Sequence, residues 1–131
     1  MAAVESYPDD LSYHEAHDWA RIDGGEAVLG ITWFAADSLG ELVHFEPPPP
    51  GSSLTKDKPY GEVESVKAVS DVIAPLSGEV LEVNQKVVDA PETVNEDPYG
   101  DGWLVRIRMA DASEVDALLD VAAYKNVLAS Q

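Results

Sequence analysis

No cysteine occurs among the 131 residues. That excludes disulfides, a thiolate nucleophile and cysteine metal sites, and any redox chemistry must come from an added group. Cations are also scarce, with 8 Lys and Arg against 25 Asp and Glu for a formal charge of -17. A phosphate field would repel such a chain, so nucleic acid and anionic membrane are disfavoured and protein partners with basic patches are favoured. No apolar run approaches the length of a membrane span. The start, Met1 to Asp10, is acidic where a secretory or mitochondrial leader is basic. A cytoplasmic protein is expected, mitochondrial only if a leader has been removed. Missing too are a phosphate-cradling glycine loop and a serine in a nucleophile-elbow setting. Carboxylates are so abundant that acid pairs for glycoside chemistry can be nominated almost anywhere, and composition therefore supports none.

What is present fits one domain with a real core. Residues 1–12 lack periodicity and read as a loosely held arm, leaving 13–131 as a single domain, expected to be monomeric. Tyr13 to Ile22, the turn signal Asp23-Gly24-Gly25 and the apolar run Ala27 to Ile31 read as strand, turn and strand. Thr32 is a candidate N-cap for a short helix to Leu39, and Gly40 is placed to stop it. Gly40-Glu41-Leu42-Val43-His44-Phe45, Gly61-Glu62-Val63-Glu64-Ser65-Val66 and Gly78-Glu79-Val80-Leu81-Glu82-Val83 share a pattern at spacings of 21 and 17 residues. In each copy a glycine can let the chain turn before a strand of one sandwich or barrel. The four prolines Pro47 to Pro50 read as a stiff surface loop. Lys86 to Val88 can form a short strand and Asp89 to Asp101 a long loop. Trp103 to Met109 alternates as a strand with Arg106 and Arg108 towards solvent or acids. A helix is expected from Ala112 or Ser113, with Val115, Leu118, Leu119 and Ala122 or Ala123 as its apolar stripe, and a further turn or helix from Val121 to Leu128.

Two constellations invite chemistry. His14-Glu15-Ala16-His17-Asp18 suggests a metal, yet its histidines sit three apart where the zinc-protease helix needs four, and on a strand or loop they face opposite ways. The other is Gly61 to Ile73, two strand-favouring segments joined by a turn with Lys67 at or beside the tip. Between Pro59 and Gln85 Lys67 is the sole cation. On this pattern alone a lone lysine in a hairpin turn is more often a solubilising charge or an edge-strand blocker. The sharper reading is an anchor for a covalently attached group on a swinging arm. Direct catalysis through a Schiff base is disfavoured, because Glu62, Glu64 and Asp71 should hold the amine protonated.

Glu64-Ser65-Val66-Lys67-Ala68, with Ser70-Asp71, Pro75, Ser77-Gly78-Glu79-Val80, Glu82-Val83-Asn84, Pro91, Val94-Asn95, Pro98-Tyr99 and Gly102-Trp103-Leu104, resembles the H protein family of the glycine cleavage system. The likeness extends upstream to His17-Asp18-Trp19, Gly30-Ile31-Thr32 and Asp37 with Leu39-Gly40-Glu41, and so spans roughly Tyr13 to Leu128. Biotin carriers differ in placing methionines beside the modified lysine, where Val66 and Ala68 stand here. Lipoyl domains of 2-oxo acid dehydrogenases lack the Pro98-Tyr99 to Trp103 block and the terminal helices. The resemblance implies a mainly β sandwich of the biotinyl/lipoyl-carrier type (a barrel-sandwich hybrid), with a short helix in the N-terminal half and helices at the C-terminal end.

The resemblance further implies that Lys67 bears lipoate, installed by a lipoate-attaching enzyme that reads the hairpin, with Glu64 beside it. Such a protein is a carrier and cosubstrate, not an enzyme. It takes the aminomethyl group of glycine from the decarboxylating P protein to the T protein, and the L protein reoxidises the dithiol. Asp18, Ser38 and Asp71 are implied as an acidic cleft for the loaded amine. Here Asp18 stands where the family more often has glutamate, and Ser38 where some relatives carry histidine. Trp33-Phe34 and the four prolines also depart from the usual pattern. Other readings are a carrier for lipoate relay or a 2-oxo acid dehydrogenase, and a non-lipoylated interaction module of the same fold.

Overall fold

A computed structural model describes residues 2–131. The strands, in chain order, are β1 (Ser12–His14), β2 (Asp18–Asp23), β3 (Glu26–Ile31), β4 (Leu42–Glu46), β5 (Ser53–Leu54), β6 (Pro59–Ser65), β7 (Val69–Ile73), β8 (Gly78–Val83) and β9 (Val105–Met109). Helices α1 (Trp33–Leu39), α2 (Gln85–Asp89), α3 (Thr93–Glu96) and α4 (Val121–Ala129) lie between and after them. The strands form a six-stranded sheet in the order β1-β2-β3-β9-β8-β5 and a three-stranded sheet in the order β4-β6-β7, every pair antiparallel. The expected mainly β architecture is therefore present as two sheets without a closed barrel.

Alternation places one face of each sheet inside. Ala27, Leu29, Ile31, Leu54, Val80, Val105 and Ile107 come from the larger sheet, and Leu42, Phe45, Val63 and Val72 from the smaller, to make one buried cluster. Each such aliphatic side chain stabilises the fold by roughly 1.5–3 kcal/mol when fully buried. On the other side of the larger sheet's last strands Arg106 pairs with Glu26 and Glu82 and Arg108 with Glu79, as the alternation predicts.

Several local expectations change. Tyr13 to Ile22 is not one strand: the chain reverses at His17, whose φ is 75°, and β1 folds back on β2 with His17 N–H donating to His14 O. Histidine is among the residue types that enter this left-handed region most readily. Lys86 to Val88 is helical, because the Asn84 side chain accepts from Lys86 N–H and caps α2. The stretch from Asp89 to Asp101 contains α3, which buries Thr93 and Val94. At the C-terminal end the expected continuous stripe breaks. A 3-10 helix, Ala112–Ala117, stops at extended Leu118; Leu119 bridges to Tyr13, and Asp120 caps α4 afresh. Of the three repeated glycines only Gly40 has a positive φ (86°). Gly61 lies inside β6, where a Cβ would come within 2.6 Å of Glu46 O, and Gly78 likewise leaves room for Arg108 O. Close strand approach, not turning, fixes those two.

A second, aromatic cluster of Leu11, Tyr13, Trp19, Tyr99 and Tyr124 fills the end of the molecule under residues 2–11. That segment has no regular secondary structure but is hydrogen-bonded along its length. Ala3 N–H donates to Asn95 O, Trp33 Nε1–H to Ala3 O, Tyr99 O–H to Ser6 O and Tyr13 O–H to Pro8 O.

Candidate functional site

Strands β6 and β7 pair as Glu62 with Asp71, Val63 with Ser70 and Glu64 with Val69, leaving Val66, Lys67 and Ala68 as the hairpin tip. The tip uses neither glycine nor a positive φ. It is closed instead by Ser65, which is 4 % exposed: its N–H donates to Ala68 O, while its hydroxyl accepts from Lys67 N–H (3.3 Å) and Ala68 N–H (3.2 Å). Three side chains beyond this tie lie in solvent, Val66 at 87 % exposure, Val69 at 60 % and Lys67 between them. Among the described residues the Lys67 ammonium enters no ion pair. Its stem passes over the end of α1, where a methyl group on Gly40 would lie 3.6 Å from Lys67 Cε. The end of α1 is itself fixed: Asn95 Nδ2–H donates to Gly40 O and its Oδ1 accepts from Leu42 N–H.

The outer face of the small sheet is acidic. The pairing sets Glu46 opposite Glu62 and Glu62 opposite Asp71, and Glu64 lies opposite His44 on one side and Val69 on the other. Glu64, Asp71 and Ser38 are all exposed. Asp18 is not: it is 2 % exposed, and its carboxylate accepts from Ile73 N–H at 3.1 Å. Burial pushes that carboxyl well above the usual carboxylate range, opposed in part by the Ile73 N–H. Among the described residues no hydrogen bond joins Asp18, Ser38 and Asp71 to one another.

His14 and His17 go to different partners. His14 accepts from Ala16 N–H at Nδ1 and so donates from Nε2 to Asp57, 2.7 Å away. His17 Nδ1 lies 2.8 Å from Tyr124 Oη, which is 2.8 Å from Thr32 Oγ1, the N-cap of α1. Among the described residues no cluster of His, Asp or Glu is arranged to hold a metal ion. No helix among them is long and apolar enough to cross a membrane.

The sequence model of the family described as "Glycine cleavage H-protein" matches residues 11–131. The chain belongs to that family. The glycine cleavage system H protein of Halorhodospira halophila is 50% identical over 129 residues, covering 98% of this chain and 99% of the relative. The probable glycine cleavage system H protein of Haloarcula marismortui is 51% identical over 119 residues, 91% of this chain and 94% of that one. A crystal structure of the Mycobacterium marinum glycine cleavage system H protein superposes with a TM-score of 0.86 at 40% identity, over 94% of this chain and 99% of that one. Membership makes the protein a lipoyl carrier of the glycine cleavage system, and the fold and the exposed hairpin agree with it.

Two contributors escaped the sequence reading. Ser65 stood in the motif without a role, although a serine hydroxyl two and three residues ahead of free backbone N–H groups is a known turn-closing device. Gly40 was read as a helix stop alone, whereas the Lys67 stem also passes beside it.

Proposed function

We propose that Lys67 carries lipoate in amide linkage, and that through it the chain passes the aminomethyl group of glycine from the P protein to the T protein and electrons to the L protein. The observation that carries this is the exposed Lys67 side chain, without an ion pair among the described residues, on a turn closed by a buried serine. Acylation turns that ammonium into a neutral amide. Among the described residues it has no ion pair to give up, and the strands below hold the tip in place for the enzyme that attaches the group. When bound, lipoate supplies the redox-active disulfide that this cysteine-free chain lacks.

The remaining work falls to the chain's own residues. Ser65 holds the tip in one conformation, which lowers the entropy lost when a partner's active site closes on it. Glu64 and the Glu46, Glu62 and Asp71 row offer a negative face that favours partners with basic patches around their active-site entrances. For Asp18 to hold a loaded amine with Ser38 and Asp71, its buried carboxyl group would first have to become accessible.

Mass spectrometry of the Lys67 peptide from native-host material tests the attachment: a lipoyl mass is expected, and its absence refutes the carrier reading. Reconstitution with P protein and glycine, against a 2-oxo acid dehydrogenase, tests the partners. Turnover with the former and none with the latter is expected.

A further inference from the structure

The small sheet has two free edges, β4 and β7, and the chain treats them differently. On β4 the register shifts between Leu42 and His44, and Pro47 to Pro50 follow the strand directly. A bulge and a run of prolines are devices that keep an edge from pairing with another strand. β7 carries neither: Val69, Ser70, Asp71 and Val72 pair without a break with Glu64, Val63, Glu62 and Gly61.

Backbone direction alternates along β7. Ala68 O accepts from Ser65 N–H at the tip and Ala74 N–H donates to Lys58 O at the base, so the even-numbered backbone groups face β6. The odd-numbered ones, at Val69, Asp71 and Ile73, face away. Ile73 N–H confirms the parity, since it donates to the Asp18 carboxyl and not to β6. The outward site farthest from Lys67 is thus closed from within. Nearer the tip, among the described residues, the outward N–H groups of Val69 and Asp71 and the carbonyl of Val69 have no partner, and Asp71 O receives only the exposed Ser70 hydroxyl. We propose that this open edge, at Val69 and Asp71, is the docking strand for the enzyme that attaches lipoate to Lys67, which adds an extended segment of its own to the three-stranded sheet. The inference rests on the carrier reading above and adds to it how the attaching enzyme finds its lysine.

Reach selects this partner. Unmodified Lys67 ends in an amine on a four-carbon stem, so the attaching enzyme must bring its active site up against the tip, beside Val69. Enzymes that meet the finished arm act an acyl chain farther out. Main-chain pairing gives the first encounter a fixed register, so that the same lysine is presented each time. The side chains specify the segment. Val69, at 60 % exposure, suits an apolar neighbour, and Asp71, with Glu62 opposite it, suits a cation. An extended segment with an apolar residue and a Lys or Arg two positions apart meets both, because alternate residues share a face. Charge also rules against a second copy of this chain. Two β7 edges together would bring Asp71 of one towards Asp71 of the other, between chains that each carry a formal charge of -17.

The test uses the full chain carrying Lys67→Arg, which cannot be modified, saturated with a lipoate-attaching enzyme, and follows amide hydrogen exchange residue by residue. In the free chain the Ser70 and Val72 amides should be protected while those of Val69 and Asp71 exchange freely; the complex should slow the latter pair severalfold. Lipoylation kinetics of chains that keep Lys67 supply a second arm. Asp71→Pro removes an N–H that the β6 ladder does not use, so its melting temperature should stay near the parent's. It should lower kcat/KM for lipoylation roughly tenfold, the value of one or two backbone hydrogen bonds. Asp71→Asn keeps the N–H and loses the charge; it should lower kcat/KM less, and its difference from the parent should vanish in high salt. Unchanged exchange at Val69 and Asp71 in the complex overturns the proposal, whether or not Asp71→Pro folds, and so does an Asp71→Pro chain modified as fast as Asp71→Asn. Protection of these amides that grows with chain concentration and needs no enzyme assigns the edge to a second copy and overturns it too. In each case the carrier reading stands. A parent chain that is never lipoylated at Lys67 would instead bring down that reading itself.

Discussion

The β2–β3 and β6–β7 hairpins solve the same problem, reversing an antiparallel pair, by different means. The first closes at Asp23-Gly24-Gly25-Glu26, with Gly24 at φ 61° and nothing within 4 Å of the space a Cβ would take at either glycine. The second closes without glycine, on the buried Ser65 hydroxyl, and sets Lys67 at its apex. A glycine turn is satisfied wherever its backbone can adopt the left-handed region and asks nothing of its surroundings. A serine-tied turn holds a particular side chain in a particular place, because its hydroxyl accepts from the N–H of that residue. The contrast separates a turn set by backbone freedom alone from one that fixes the placement of an exposed side chain.

The largest expected effect follows at the apex. Lys67→Arg keeps the charge and the solvent exposure but offers a guanidinium that stays protonated and cannot form the lipoyl amide. Mass spectrometry after incubation with a lipoate-attaching enzyme and lipoate should show complete loss of modification, with the melting temperature unchanged. Next come the two turn closures. Ser65→Ala leaves two backbone N–H groups without their acceptor and should cost about 1 kcal/mol in denaturant unfolding. It should also slow lipoylation severalfold, since the tip would sample more conformations. Gly24→Ala should cost a similar amount, about 1–2 kcal/mol, through the left-handed backbone it must adopt. It should leave the lipoylation rate untouched. Equal slowing by both variants would mean that global stability, not the Ser65 tie, controls modification.

Much of the fold was legible in the sequence because period-two alternation and turn residues act locally. Thr32 and Gly40 bound α1 by their own chemistry, and Val63 and Val72 follow from alternation alone. The elements that were misread are those whose state is decided by distant partners. The chain splits at His17 because Tyr124, more than a hundred residues on, receives its ring, and the C-terminal helix breaks at Leu119 because Tyr13 takes its backbone. The exposed hairpin position of Lys67 was legible because strand-favouring residues on either side flank small and polar ones at the turn. A cavity between α1 and α3 was not, since its lining comes from residues between Trp33 and Glu41 and between Glu92 and Glu96, together with Ala2. No local pattern reports that meeting.

A pH titration compares two neighbours at the start of β2, Asp18 and the preceding turn residue His17. Desolvation depresses the His17 imidazole below its ordinary 6.5, offset in part by the hydrogen bond it donates to Gln131 and reinforced by His14. A base with a depressed folded value contributes stability that is complete above the unfolded value. That stability is lost as pH falls below about 6.5, where the unfolded chain takes up the proton first. Protonation also removes the Nδ1 lone pair that accepts from Tyr124 O–H and so disturbs the chain of hydroxyls leading to the α1 cap. Asp18 has the opposite sign. Its folded value is raised by burial, so its contribution is complete at acid pH, below the ordinary carboxylate range, and declines as pH rises through the folded value. His17→Asn tolerates the left-handed backbone and removes the imidazole. Unfolding free energies measured between pH 5 and 8 (roughly the histidine window) should lose their fall on the acid side in this variant. An unaltered slope would assign the fall to other groups.

The smallest effect lies on the outer faces of the two sheets. Beside the β2–β3 hairpin, Arg106 joins Glu26 and Glu82 across three strands, an attractive ladder. Beside β6–β7 the register opposes Glu46, Glu62 and Asp71, like charges across three strands with no cation among them. Like charges directly opposite destabilise a sheet, so Glu62→Gln should raise unfolding stability by ~0.2–1 kcal/mol. Glu26→Gln should lower it slightly, because an exposed pair contributes little. Added salt should shrink both differences, since it screens attraction and repulsion alike. The acidic row costs stability where the attractive ladder gives it, which is expected if the negative face serves a basic partner and not the fold. If Glu62→Gln slows lipoylation or P-protein turnover while stabilising the chain, that trade is established; stabilisation with both rates intact would leave the row without a function in partner recognition.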